Sequence, residues 1–207
     1  MEIKLTTPIP DEDIRTLKIG DSVLLSGTIV TGRDRAHKWL IDTFINKTDP
    51  PTAEDEEIYQ SLKQILSGGV IYHCGPVVAG LDTKQYRFVA AGPTTSIREE
   101  PYQGKVMKEF NLKGVIGKGG MGNLTLQACT ELPAVYLHAI GGAASLIAES
   151  VKEVKTVYKL EFGVTEAMWV IEVEDFPMVV TMDSHGNSLH DAVRESSKKK
   201  LDQLLSV

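Results

Sequence analysis

The chain is short of cysteine, of positive charge and of long apolar runs. Cys74 and Cys129 are the only cysteines in 207 residues, and they form no C-x-x-C pair. Two scattered thiols cannot supply the set of thiolates that an iron–sulfur cluster normally takes. They read instead as reduced, buried side chains of a cytoplasmic protein. Lysine and arginine number 22 against 28 aspartates and glutamates, a formal net charge of -6. That balance argues against a nucleic-acid partner, which asks for a basic face, but leaves room for a local basic pocket. The longest apolar stretch, GVIYHCGPVVAGL, falls well short of the ~20 residues that a spanning helix needs, so no membrane is expected. The opening MEIKLTTPIPDEDIR is acidic and polar, unlike a signal peptide. No two histidines have a ligand spacing that would suggest zinc, and no metal site is expected.

The remaining composition, 42% hydrophobic and 24% charged, is that of an ordinary globular protein, and the length suits a single domain over 1–207. β-Branched alternation over 18–31 predicts strand, turn, strand, and RDRAHKWLIDTFI then carries apolar residues at helical spacing. Residues 46–57 are acidic and contain proline, so they read as a loop, and the whole of 46–66 as a loop or insertion ending in the short helix IYQSLKQIL. Strands are expected at GGVIYHCGPVV, QYRFVAAG, LKGVIGKGGM and AVYLHAI. Helices are expected at EPYQGKVMKEF, at NLTLQACTEL with Asn123 as its cap, and at GGAASLIAESVKEV. MWVIEVED and PMVVTMDSHGN read as two strands interrupted by Pro177. A C-terminal amphipathic helix follows, with Lys198 to Lys200 on a solvated face. Strands feeding glycine turns and helices favour an α/β fold with substantial parallel sheet, the first part looking more like paired β.

Three strand ends share one character: TGRD (31–34), GPTTSIR (92–98) and GKGGMG (117–122). Each is a glycine turn after an apolar strand and before a helix, where backbone amides and helix ends gather anions. Each also brings hydroxyls or a cation: Thr31 and Arg33, with Arg35 as a further candidate; Thr94, Thr95, Ser96 and Arg98; Lys118. Singly, each reads as a plain turn. The lysine loop lacks the spacing of a nucleotide P-loop, Arg33 could be a surface ion pair, and the hydroxyls could cap a helix. Together they suggest one basic pocket in an acidic protein, suited to a small diacid held by arginine forks and a lysine charge. Asp34 and His37 lie three residues apart and can share a helix face, most simply orienting Arg33. His73 and Cys74 sit in an apolar strand and read as core. His138 could approach the pocket, and His185 reads as part of a turn.

The motifs SGTIVTGRDRAHK, AAGPTTSIR, VIGKGGMG, AIGGAASL and VEDFPMVVTMDSHGN resemble the β subunit of class I iron–sulfur fumarate hydratases and L-tartrate dehydratases, over nearly the whole chain. The resemblance implies a swivelling β/β/α domain, mixed sheet layers with helices packed on one side. It implies reversible hydration of fumarate to L-malate, or dehydration of tartrate, at a [4Fe-4S] cluster bound by a partner α subunit and not by this chain. It places the substrate carboxylates on Arg33, Arg98 and Lys118, and Thr94 at the carbon that exchanges a proton. Asp34, His37, Thr95 and Ser96 would stand behind them. It further implies αβ pairs dimerised to a heterotetramer, and an isolated chain that is inactive. The long, acidic 46–66 segment departs from the family's pattern. A C4-diacid binding module without a cluster partner, or a structural domain whose loops only cap helices, remain alternatives. They differ in whether Arg33, Arg98 and Lys118 converge on one concave face.

Overall fold

Period-two alternation of apolar residues dictates which side of the sheet each strand residue faces. The computed structural model describes residues 2–206; residues 1 and 207, counted in the single domain expected above, lie outside the described residues. The sheet strands are β1 (Ile3–Thr6), β2 (Ser22–Thr31), β3 (Val70–Tyr72), β6 (Gly114–Gly117), β7 (Val135–His138), β8 (Val151–Tyr158) and β9 (Met168–Met182), with β4 (Val77–Ala79) and β5 (Arg87–Ala90) as a separate hairpin. Helices are α1 (Asp11–Thr16), α2 (Asp34–Leu40), α3 (Ala53–Leu66), α4 (Glu100–Phe110), α5 (Asn123–Glu131), α6 (Ala144–Ser150) and α7 (Leu189–Leu205).

β2, β3, β6 and β7 run parallel, and β9 runs antiparallel to both β7 and β2. That double pairing closes the five strands on themselves, with β1 and β8 as flanking edges. Ile29, Tyr72, Ile116, Leu137 and Trp169 face one core. Their sequence neighbours Val30, Ile71, Val115, Tyr136 and Val170 face the other, against α2 to α5. The fold is therefore mixed α/β with helices packed on a mixed sheet, as the sequence predicts. Burying a large apolar side chain contributes roughly 1.5–3 kcal/mol. Trp169, fully buried against Tyr86 and Phe88, is among the largest such anchors.

Several expectations need correction. The span 18–31 holds one ten-residue strand, because Gly27, at φ +104, absorbs a bulge rather than a turn. A Cβ there would lie 2.4 Å from Thr7 Oγ1. Pro177 does not interrupt β9. The change of facing between Val173 and Phe176 falls at Asp175, which has φ 48, opposite the Gly27 bulge. GGVIYHCGPVV splits into β3 and β4. The acidic 53–57 stretch is the first turn of α3, not a loop. Thr52 and Asp55 form a capping box there, and Ile58, Leu62 and Leu66 are buried. The helix expected over 141–154 ends at Ser150, and VKEV opens β8. Two bulges in the β8–β9 register put Val151, Val154 and Val157 at a spacing of three, which imitates helical periodicity. The charged β8 edge also suits a strand that must not recruit another.

Candidate anion site

The parallel strands deliver their loops to one edge of the sheet. Ladder bonds continue past each strand end: Gly32 N donates to Tyr72 O, His73 N to Ile116 O and Ala139 N to Gly117 O. The GPTTS segment is then spliced between the ends of β3 and β6. Thr94 N donates to His73 O at 2.7 Å, Lys118 N to Thr94 O at 3.3 Å and Ser96 N to Lys118 O at 3.1 Å. Thr95 pairs with Lys118 as an isolated parallel bridge. Gly117 permits the approach, because a Cβ there would lie 1.8 Å from Ser96 Oγ. The splice joins the second and third loops through backbone, and the first loop joins through side chains.

Arg98 makes that second connection. Its Nη2 is 3.2 Å from Asp34 Oδ2 and donates to Thr94 Oγ1 at 3.1 Å. Arg33 crosses Gly75, where a Cβ would lie 2.4 Å from its Nη1. Nη1 also meets Glu166 Oε1 at 3.3 Å and Thr165 O at 3.4 Å, while the buried Nε is without a partner. Glu166 Oε2 in turn accepts from Arg35 N at the start of α2, a stabilising place for a carboxylate. The side chain of Lys118 passes Gly141, whose added Cβ would meet its Cδ at 3.4 Å.

Beneath these groups lies a buried polar row. His37 Nδ1 is 2.9 Å from Arg33 O, and His37 Nε2 is 3.0 Å from Gln103 Oε1. His73 Nε2 is 2.8 Å from the same oxygen, and its Nδ1 is 2.9 Å from Ser96 Oγ, which also accepts from Tyr136 OH at 2.8 Å. His37, His73, Ser96 and Gln103 are fully buried. Burial lowers the pKa of both histidines, that of His73 to about 3. Neutral rings carry one N–H each, and Arg33 O claims that of His37. With the amide NH2 of Gln103 turned toward both Nε2 atoms, every ring nitrogen is paired without a buried cation, and the unpartnered position passes from Gln103 Nε2 to its Oε1.

Thr94, Arg98 and Asp34 thus form one contiguous set, to which the splice attaches Lys118, while the Arg33 guanidinium, next in sequence to Asp34, turns to Glu166 and Thr165 O. His37 supports Arg33 through its carbonyl, and Asp34 turns to Arg98 rather than to His37. Ser96 is a buried hub, and Thr95 carries the bridge. His73 and Cys74 are fully buried, and the DSHGN turn is organised by Asp183, which accepts from His185 N and Asn187 N. His138 lies 5.9 Å from the ring of His190, which packs beneath Gly120. Asn123 does not cap α5: Glu100 reaches across from α4 and accepts from Gly122 N, Leu124 N and Thr125 Oγ1.

Three residues escaped the sequence reading. Gln103 shares a face with Val106, Met107 and Phe110, so a polar residue in that apolar stripe is the clue. Glu166 gives no local sign. Glu99 looks like an ordinary acidic helix start, yet it is fully buried, and neither carboxyl oxygen has a hydrogen-bond partner. Desolvation first, then the charge of Asp34, push its pKa up to about 7 against the pull of Arg98, its own backbone N–H and Arg33.

Among the described residues, no three His, Cys, Asp or Glu side chains are placed to hold a metal ion, and no helix is long and apolar enough to cross a membrane. The two thiols do not fit a cluster. Both are buried, and burial pushes each up to about 12, far from the thiolate a metal takes.

The family model of the fumarase C-terminus matches residues 1–193. The chain is 51% identical over 201 residues to the Geobacillus stearothermophilus protein named "Putative fumarate hydratase class I", covering 97% of this chain but 36% of that protein. It is 37% identical over 186 residues to the L(+)-tartrate dehydratase subunit beta of Escherichia coli strain K12, covering 89% of this chain and 85% of that one. A Methanocaldococcus jannaschii protein named "Putative L(+)-tartrate dehydratase subunit beta" is 38% identical over 198 residues, 95% of both chains. The chain spans about a third of the first of these relatives and nearly the whole of the third. On the strength of a match from residue 1 to residue 193, it belongs to the fumarase C-terminus family.

Proposed function

We propose that this chain is the β component of a heteromeric hydro-lyase that adds water to fumarate to give L-malate. Arg33, Arg98 and Lys118 bind the substrate carboxylates, and Thr94 exchanges the proton at carbon. The splice of Thr94–Ser96 between β3 and β6 carries the reading, because it sets a hydroxyl beside the Lys118 loop through backbone, while Arg98 of the same segment reaches Asp34 of the first loop. Arg98 donates to Thr94 Oγ1 and so favours the alkoxide that a threonine base requires. Removing a proton beside a carboxylate builds negative charge on that carboxylate, and fixed cations stabilise it as it forms. Asp34 holds Arg98 until a substrate carboxylate displaces it.

The iron–sulfur cluster belongs to a partner α subunit, since neither thiol here fits one, and no step of this chain runs through it. Exposed Val77, Val89, Ile97 and Ile140 lie on the hairpin and on the segments that follow the strand ends, and Leu124 opens α5 beside them, which supports a partner surface covering the site. Swivelling of a single domain over that surface, in αβ pairs dimerised to a heterotetramer, would open and close it. L-tartrate dehydration is the second reading, favoured by two subunit-sized relatives that carry that name. The test is co-expression with the α subunit, anaerobic cluster assembly, and fumarate absorbance with malate, then dehydration of L- and D-tartrate. Malate-dependent fumarate formation supports the first reading. Tartrate turnover alone moves the substrate and keeps the site. No turnover by an intact, cluster-loaded complex overturns both and leaves a binding module.

A further inference from the structure

The carboxyl of Glu99 is the one buried acid beside the cations for which the reading above has no use. It follows Arg98 in the 3-10 turn Ser96–Glu99, is fully buried, and neither oxygen has a hydrogen-bond partner. A carboxylate in such a place is costly unless paired, whereas a neutral acid is tolerated. The charged groups acting on it are Asp34 from α2 and Arg33 and Arg98 from the loops, and Tyr136 of β7 lies within its field.

We propose that Glu99 sets the specificity of the site for dianions by staying uncharged when substrate is bound. The inference rests on the diacid reading above. Charge counting gives the reason. Arg33 pairs with Glu166 and Arg98 with Asp34, and Lys118 adds one cation from the spliced loop, a balance of plus one while Glu99 is neutral and zero once it ionises. A dianion arriving at the arginines adds negative charge where Asp34 already opposes ionisation of Glu99. Substrate binding and protonation of Glu99 therefore favour each other, and linkage makes the effect reciprocal. Near neutral pH, where burial and the two arginines leave the acid finely balanced, binding takes up part of a proton.

The probe is succinate, a C4 diacid that cannot be dehydrated, titrated calorimetrically into the cluster-loaded complex in buffers of different ionisation enthalpy. The expected result is fractional proton uptake near pH 7 and a several-fold loss of affinity from pH 6 to pH 8. Both effects vanish in Glu99→Gln. Glu99→Met, which also cannot ionise, gives the same flat profile and serves if the glutamine variant folds poorly. In turnover the wild type raises KM with pH at constant kcat, and the variants do not. An unchanged pH profile in both variants, or no proton uptake by the wild type, overturns the proposal. Succinate binding with the proton signature but no turnover of fumarate, malate or tartrate removes the hydro-lyase reading and keeps the gate. Absence of succinate binding overturns both.

Discussion

The floor and the rim of the cation cluster are built to opposite rules. In the floor, His37, Gln103, His73, Ser96 and Tyr136 pair with one another or with backbone and are almost wholly buried. In the rim, Arg98 and Asp34 are about half exposed and meet through a single contact, Arg33 keeps an unpartnered Nε, and no neighbouring residue hydrogen-bonds the Glu99 carboxyl. Buried networks are stiff when fully satisfied, while exposed pairs contribute little and exchange readily. The floor fixes where the loops lie, and the rim is free to change partners, as the proposed diacid site requires.

Breaking the rim should cost function and spare the fold. Arg98→Ala in the reconstituted complex is expected to lower kcat/KM by ~10²–10³-fold, the scale of a lost charge-stabilising donor, with the thermal midpoint little changed. Steady-state kinetics beside circular dichroism measures both. Breaking the floor should do the reverse. Gln103→Leu strands two buried imidazoles and should destabilise the chain by about 2–4 kcal/mol in urea unfolding. A small urea effect would mean that the histidines find other partners.

Proton linkage sharpens the contrast. Glu99 has a raised pKa, so its contribution is fully present below pH 4.5 and is lost as pH rises through about 7. The slope is at most about 1.4 kcal/mol per pH unit. Glu99→Gln should remove that slope. His73 has a depressed pKa, so its contribution is present above pH 6.5 and is lost as pH falls toward about 3. Urea midpoints across this range separate the two groups, rim from floor. The smallest effect belongs to Asp34→Asn. A half-exposed pair is worth under ~1 kcal/mol, so stability should barely move, while KM falls a few-fold as Arg98 is released.

Much of this was legible in sequence because it is local. Glycine turns after β-branched runs mark the three loops, and the cations stand in them. What was hidden is tertiary. Glu166 meets Arg33 across 133 positions, and Glu100 caps a helix other than its own. Burial of Glu99 depends on how α2 and the 3-10 turn pack, which no short window records. β8 was misread because its bulges shift the apolar period from two to three. The acidic 53–57 stretch looked like a loop because a capped first turn is itself rich in acidic residues.

The most direct measurement is a crystal structure of the cluster-loaded complex with succinate. One carboxylate or the other is expected within hydrogen-bond distance of each of Arg33, Arg98 and Lys118, with Asp34 released from Arg98 and Thr94 Oγ1 facing the diacid's methylene carbons. Succinate held by the partner alone, or a site where the three cations point apart, would contradict the proposed diacid site.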